Sequence, residues 1–537
     1  MAAKIDTFTE ENLFKTTEIE EFVKVYLVDE EDSPIRAMNA KVQGLNKERE
    51  QQGFPEVPNL SMGIPDFPPS KELINEVAEK WKHIATLSPK EHLKLFGYQN
   101  PRGGDATREK ITQLYNNRYE ESEIGDDNVM MFNGATHFSS TLFASLRSEK
   151  DGEKTKVAVF APHFPTQKDQ VEMNGKEFVP IRIKEGETPA TAFSRTIEEE
   201  REKSANGNNL ISAVFLSYPT NPTGSYFSKE ELSDVMKVVE DQGDMMLGVE
   251  RLYDKIADKP DDIVYPLQID PKYHEKVPYA EAASLSKGYS LPGEHIAHGF
   301  ASKEVMDIMG KVSFKTICGP SASAENTLRT VIDFEMQGKL DKWNEEMREH
   351  YMERVGTLNE NIPDGFEVHP LVNKDKHGSF YVTMGAPDWV GKDIPDSVTH
   401  KVGEKTRKID GIREKMGKVE GATTFKNGTD ITKFLVEAEI GAFVPLAPFG
   451  LDEPYFRASC ATDKDSISRA VSGMSSCNKG ITQGEDIVIE HKEQTVTKKR
   501  SGSFADNEQS GARRKIEKSS SRVASLNSGE EKMLSFG

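Results

Sequence analysis

The sequence predicts an α/β fold: a three-layer, mostly parallel sheet flanked by helices, followed by a smaller α+β C-terminal domain and a disordered C-terminal tail. Three observations predict it. Val157–Phe160, Ile211–Leu216 and Met245–Val249 are short runs of apolar or β-branched residues, as strands covered on both faces require. Between the last two lies SKEELSDVMKVVEDQG, where Ser228 and Glu231 form a capping-box pattern and Leu232, Val235, Met236 and Val239 recur at helical spacing. The tail from about residue 479 is rich in Ser, Lys, Arg and Glu, and it has too few apolar residues to offset the entropy of ordering it.

Taken along the chain, residues 1–55 read as a polar N-terminal segment with helical patches such as Glu18–Leu27. Residues 56–325 form the large domain, where strand–helix–strand order implies right-handed crossovers and ligands beyond the carboxyl ends of the strands. The N-terminal segment reads as an entry segment wrapped on the main body, and residues 326–478 form the small domain. It opens with a long charged helix, Asn326 to Leu358, and carries an insertion near 386–433 with many charged residues and few strand-like runs. Residues 479–537 are the tail. Its clusters Lys498-Lys499-Arg500 and Arg513-Arg514-Lys515 suit a localisation signal, a phosphorylation-regulated segment or a nucleic-acid contact, with a solvated tail favoured over all three. No internal repeat is evident.

Composition excludes several classes. Among 537 residues, 89 acidic side chains against 69 basic ones give a net charge of −20, which repels a phosphate backbone and argues against nucleic acid as a general partner. The three cysteines, Cys318, Cys460 and Cys477, form no CxxC pair and no metal-ligand spacing, so no metal and no disulfide framework is expected. The N-terminus lacks the apolar core of a signal peptide and no run approaches a membrane span; a cytoplasmic protein with no membrane partner is the expectation.

Two segments carry chemistry. In SLSKGYSLPGE, residues 284–294, Lys287 sits among small hydroxyl residues and glycines, where a desolvated amine titrates low enough to act as a nucleophile. In SYPTNPTGSYFS, residues 217–228, two prolines stiffen the loop around Asn221 directly after an apolar strand, and Gly224 turns the chain into the capped helix.

With these segments the chain resembles, over about residues 56–478, the class I/II aminotransferases, the fold-type I enzymes that use pyridoxal 5'-phosphate (PLP). Further landmarks stand in family order: Gly63-Ile64-Pro65-Asp66-Phe67-Pro68, then Tyr98 with Gly103 and Arg108 (Thr107 replacing a leucine), Gly134-Ala135-Thr136, Pro162-His163-Phe164-Pro165 and Phe456-Arg457-Ala458-Ser459.

The resemblance implies a role for each. Lys287 holds PLP as a Schiff base and then moves the substrate Cα proton. Gly134, Ala135 and Thr136 open a helix and present N–H groups to the cofactor phosphate, with Ser284 adding a hydroxyl. Phe164 stacks on the pyridine ring, Asn221 and Tyr253 bond its phenolic oxygen, and Tyr98 reaches a phosphate across a homodimer interface. Arg457 clamps the substrate carboxylate, with Gly63 and Asn221 beside it.

Two positions depart from the family. Glu250 stands three residues before Tyr253, where an aspartate would pair with the pyridine nitrogen. His295 stands eight residues after Lys287 in place of a permanently charged arginine. The expected activity is transfer of an amino group between an amino acid and a 2-oxo acid. The alternatives left open are a lyase or β-decarboxylase on the same fold, or a catalytically weak relative that serves as a binding or effector protein.

Overall fold

The structure, a computed structural model, describes residues 34–372, 377–417 and 423–492. The Glu18–Leu27 patch and the two basic clusters lie outside the described residues.

A seven-stranded sheet runs in the order β1 (Val129–Phe132), β7 (Ala297–Ala301), β6 (Tyr279–Ser284), β5 (Met246–Arg251), β4 (Ile211–Ser217), β2 (Lys156–Phe160) and β3 (Glu177–Ile181). Strands β2 to β6 pair in parallel, and only β7 runs against its neighbours. The three predicted strands are therefore present, and β5 extends two residues further than expected, which puts Glu250 inside the sheet.

Both faces of this sheet are covered. Along β4, Val214 and Leu216 join one apolar cluster with helices α3 (Asp105–Arg118), α6 (Pro189–Lys203) and α7 (Lys229–Gln242). Ala213 and Phe215 join the other, with α4 (Gly134–Ser145), α5 (Pro165–Met173) and α8 (Lys303–Ile317). This alternation explains why the strands read as continuous apolar runs. Helix α7 starts as predicted: Ser228 Oγ accepts from Glu231 N–H, the Glu231 carboxylate accepts from Ser228 N–H at 2.7 Å, and Leu232, Val235, Met236 and Val239 are buried.

The long charged helix is two helices, α9 (Ala322–Met336) and α10 (Asp341–Glu360). Gly338 takes a φ of +66° between them and Lys339 N–H returns to Phe334 O at 2.9 Å, a helix stop that glycine favours. Leu328, Val331 and Ile332 fall at i, i+3 and i+4 and are buried in the large-domain cluster. Helix α9 thus packs with the helices and strands of the seven-stranded sheet.

The small domain is built on an antiparallel sheet in the order β8 (Glu367–Val368), β9 (Tyr381–Gly385), β13 (Tyr455–Ser459) and β12 (Val444–Pro445). Its core packs Val382, Met384, Phe456 and Ala458 against α11 (Gly428–Glu437) and α12 (Lys464–Gln483).

Within the segment 386–433, where few strand-like runs were expected, β10 (Ser397–Val402) and β11 (Lys405–Asp410) form a hairpin. Only Val398 and His400 on β10 point inward, so the alternation is masked by intervening Thr and Lys. The third strand of this sheet, β14 (Val488–His491), corrects the expected start of the tail at 479: α12 continues to Gln483 and β14 pairs in parallel with β10. Cys477, Ile487 and Ile489 are buried, and Trp389 Nε1 donates to Asn478 Oδ1 at 2.9 Å, so this stretch has a core to pay for its order.

Helix α1 (Pro34–Gln52) packs through Met38, Val42 and Leu45 against Val436 and Ala442. Its anchor is Arg49, fully buried, which donates to Glu439 Oε2 at 2.5 Å and to Pro55 O at 2.6 Å. Burial pushes the Glu439 carboxyl up, but Arg407 and Arg49 outweigh this and hold it low. Glu439→Ala strands the buried Arg49 guanidinium without its carboxylate and leaves Arg407 only the longer carboxylate contact, to Glu48. It is expected to cost about 3–5 kcal/mol, read as a lower urea midpoint, with spectra of the native protein unchanged.

Candidate active site

The carboxyl ends of β4, β5 and β6 and the N-terminus of α4 surround a cavity of about 300 Å³. Gly63, Gly134, Ala135, Thr136, Phe164, Asn221, Glu250, Tyr253, Lys287, His295 and Arg457 all line it. Residues separated by nearly 400 positions thus meet at the end of the sheet where ligands of such folds collect.

Lys287 lies in a single helical turn, Leu285–Gly288, that follows β6. Its Nζ donates to Gly63 O at 2.6 Å. Burial, and then the nearby positive charge of Arg457, push the amine down to about 8. An amine in that range is available as a base near neutral pH, which an exposed lysine is not.

Glu250 is the penultimate residue of β5, in register with Ser217 on β4 and Ala282 on β6. Its Oε2 accepts from Gln167 Nε2 at 3.3 Å. Burial pushes the carboxyl up to about 7, against the pull of hydrogen bonds from Gln167 and Ser217. It carries a proton through much of the acidic range.

Arg457 is 1% exposed and held on every side. It donates to Asn221 Oδ1 at 2.9 Å and to Ser61 O at 2.6 Å, while its guanidinium carbon lies 4.3 Å from the Tyr381 ring centroid and 5.4 Å from that of Phe449. Its Nε has no partner among the described residues. Asn221 stands in a loop closed by Gly224 N–H to Thr220 O at 2.7 Å. Gly224 itself has a φ of +70°, and a side chain there would meet Ser379.

Helix α4 begins at Gly134 with a φ of +78°, a conformation that favours glycine. No side chain caps it, so its first N–H groups are open to an anion in the cavity. His295 adjoins Gly134 and is exposed, with a φ of +51°. Tyr253 is buried, with its hydroxyl 3.3 Å from that of Tyr381.

Two sequence-predicted residues are placed elsewhere. Ser284 ends β6 and caps the turn that carries Lys287, so its hydroxyl is spent on Ile296 O at 3.2 Å and Ser286 Oγ at 3.0 Å. Ser286, immediately before the lysine, lines the cavity instead. Tyr98 is fully exposed and does not line the cavity of its own chain.

Sequence reasoning missed Gln167, Gln170, Ser139, Ser217 and Tyr381, all at the cavity wall. Gln167 was within reach of it: three residues after Phe164, in the first turn of α5, it falls on the same side as the aromatic ring. Tyr381 carries no local signal at all.

Comparison with known proteins agrees with this geometry. The sequence profile of the family described as "Aminotransferase class I and II" matches residues 55–473. The aspartate aminotransferase of Bacillus subtilis is 23% identical over 428 residues, 78% of this chain and 90% of that one. The asparagine–oxo-acid transaminase of Streptococcus mutans is 24% identical over 423 residues, again 78% and 90%. Among solved structures, the aspartate aminotransferase of Rhizobium meliloti superposes with a TM-score of 0.65 at 18% identity, covering 82% of this chain and 95% of that one. That of Thermus thermophilus with maleate gives 0.63 at 18%, covering 83% and 96%. These superpositions bear on the fold.

Proposed function

Because this chain belongs to the class I and II aminotransferase family, whose members move amino groups with PLP, we propose that it holds PLP at Lys287 and passes the amino group of an α-amino acid to a 2-oxo acid. The observation that carries this reading is that the half-buried, easily deprotonated Lys287 and the buried Arg457 share one cavity.

The residues present fit the cofactor. Open N–H groups at the start of α4 suit its phosphate, the Phe164 ring offers a flat wall, and the Glu250 carboxyl opens on the same cavity. Gln167 Oε1 and Arg457 Nε, both buried and without partners among the described residues, leave polar capacity for a ligand.

When bound, PLP supplies an aldehyde carbon for the amino nitrogen and a ring that takes up the electron pair left at Cα. The chain does the rest. Arg457, fixed between two rings, receives the substrate carboxylate on its planar fork and so orients Cα. Lys287 Nζ takes the Cα proton and returns it at the neighbouring carbon. Glu250 would hold a negative charge against the ring nitrogen and help keep it protonated, and Asn221 and Tyr253 would donate to the phenolic oxygen. His295, beside Gly134, would stand near the phosphate where the family has an arginine. Exposed Tyr98, outside the cavity of its own chain, is free to complete the site of a second copy in a homodimer.

The test is a single turnover with the full chain. Apoprotein plus PLP should develop a visible absorption band, and L-aspartate, the amino acid in the names of several relatives, should convert it to pyridoxamine phosphate in stoichiometric amount. Release of ammonia or CO₂ without pyridoxamine phosphate would replace transamination with a lyase or decarboxylase. A protein that takes up no PLP would defeat the reading altogether.

A further inference from the structure

Tyr381 has no role in the reading above, yet it touches Arg457, Tyr253 and the close neighbourhood of Gly63. It is 1% exposed and stands at the start of β9. In the β9–β13 register Tyr381 faces Ser459 and Thr383 faces Arg457, so Tyr381 and Arg457 are diagonal neighbours on one face of the small-domain sheet. That spacing is within reach of long side chains, and the Arg457 guanidinium carbon lies 4.3 Å from the ring centroid.

The same side chain reaches in two further directions. Its hydroxyl lies 3.3 Å from that of Tyr253 on the large domain. It also lies so close to Gly63 that any Cβ there would collide with it, while Gly63 O accepts the Lys287 amine at 2.6 Å. Its backbone is fixed in turn, since Tyr381 N–H donates to Ser379 Oγ at 3.2 Å. One phenol therefore spans the carboxylate clamp, the phenol beside the cofactor and the segment against which the lysine rests.

We propose that Tyr381 is a positioning residue with two separable duties: its ring is the platform that orients Arg457 toward the substrate carboxylate, and its hydroxyl donates to Tyr253 and strengthens that phenol's own hydrogen bond to the cofactor. The second duty rests on the function proposed above; the first needs only the clamp. The ring supplies a cation–π contact to a desolvated guanidinium, where such contacts are strongest. The hydroxyl acts through a short chain of hydrogen bonds, each of which polarises the next. A stronger donor at the cofactor's phenolic oxygen draws electron density from the bound nitrogen and lowers the pH at which that nitrogen loses its proton.

Two variants separate the duties. Tyr381→Phe keeps the ring and removes the hydroxyl. It should leave the KM for L-aspartate within about twofold, lower kcat by about three- to tenfold, and raise the pH midpoint of the bound cofactor's visible absorption by roughly half a unit. Tyr381→Leu removes both and should also weaken maleate binding to the PLP-free protein, measured by calorimetry, by about tenfold or more. In Tyr253→Phe the hydroxyl of Tyr381 has lost its relay, so adding Tyr381→Phe should not move the midpoint further. The hydroxyl's duty is overturned if Tyr381→Phe keeps the wild-type midpoint, or if its shift adds to that of Tyr253→Phe. The ring's duty is overturned if Tyr381→Leu binds maleate as the wild type does. A wild type that takes up no PLP defeats the proposed cofactor and the hydroxyl relay with it, and the maleate titration still decides the platform.

Discussion

Replacing Lys287 with alanine should abolish covalent retention of PLP and lower transamination by at least about 10⁴-fold, the largest effect expected of any single change in this chain. The variant should fold. Lys287 Nζ makes one hydrogen bond, to Gly63 O, and the turn that carries it is capped through Ser284, not through the lysine. The amine also costs the fold something at neutral pH. Its folded value is pushed down from 10.5 to about 8, so the unfolded chain binds more protons between those limits and stability rises as pH increases through that window. Alanine removes this dependence, and the variant should match or exceed the wild type in thermal stability at pH 7. The same shift sets the pH profile of cofactor uptake. Below about 8 the amine is mostly protonated and cannot bond to an aldehyde carbon, so the rate of uptake should climb with pH and level off above that value. Borohydride followed by peptide mapping reads the attachment directly: the label should sit on residues 284–294 of the wild type and be missing from the variant. Label at another lysine would mean the cavity has been assigned the wrong nucleophile.

The part of this site that could be read from sequence is the part fixed by short-range geometry. Val214 and Leu216, alternating with Ala213 and Phe215, announce a doubly covered strand, and Ser228 with Glu231 announces the helix after it. Once that unit is drawn, Asn221 must lie at the carboxyl edge of the sheet, and Glu250 and Tyr253 follow at the end of the next strand. What could not be read depends on contacts between distant segments. Nothing near Tyr381 indicates that its ring will meet Arg457, because that meeting is set by the pairing of β9 with β13. Ser284 and Ser286 are indistinguishable in SLSKG until the end of β6 is fixed; a shift of two residues decides which hydroxyl caps the turn and which faces the cavity. The hairpin at 397–410 was obscured for a related reason: one of its inward residues is a histidine, His400, whose Nε2 is bonded to Ala438 O and which therefore sits in a core without looking apolar. The tail boundary moved because Ile487 and Ile489 find their partners in the small domain, not in their own neighbourhood.

Glu250→Gln should separate stability from catalysis more sharply than any other change in the cavity. The Glu250 carboxyl, buried and hydrogen-bonded only by neutral groups, is pushed from 4.5 up to about 7. A raised carboxyl favours the folded protein while it keeps its proton. That advantage is complete below 4.5, and it is lost as pH rises through 7, where the fold must bury an unpaired negative charge. The difference corresponds to about 3 kcal/mol at pH 8, so in the absence of PLP the glutamine variant should be more stable than the wild type there by a comparable amount and equal to it near pH 4. A urea titration at the two pH values measures both. With PLP the order of merit reverses. On the proposed reading, a protonated ring nitrogen would supply the positive partner that the carboxylate lacks, draw the carboxyl back down, and convert the cost of the buried charge into cofactor affinity. Glutamine cannot hold that proton, and kcat should fall by about 10²- to 10³-fold. Glu250→Asp is the control for reach, because it keeps the charge but withdraws it by roughly 1 Å. If the chain uses its longer carboxylate to meet a ring seated further from β5 than in its relatives, aspartate should lose activity as well; if Glu250 merely tolerates the position, aspartate should gain it. Equal stability of wild type and Glu250→Gln at pH 8 would show that a solvent path or an unseen cation already relieves the charge, and that Glu250 is not the isolated buried acid its surroundings describe.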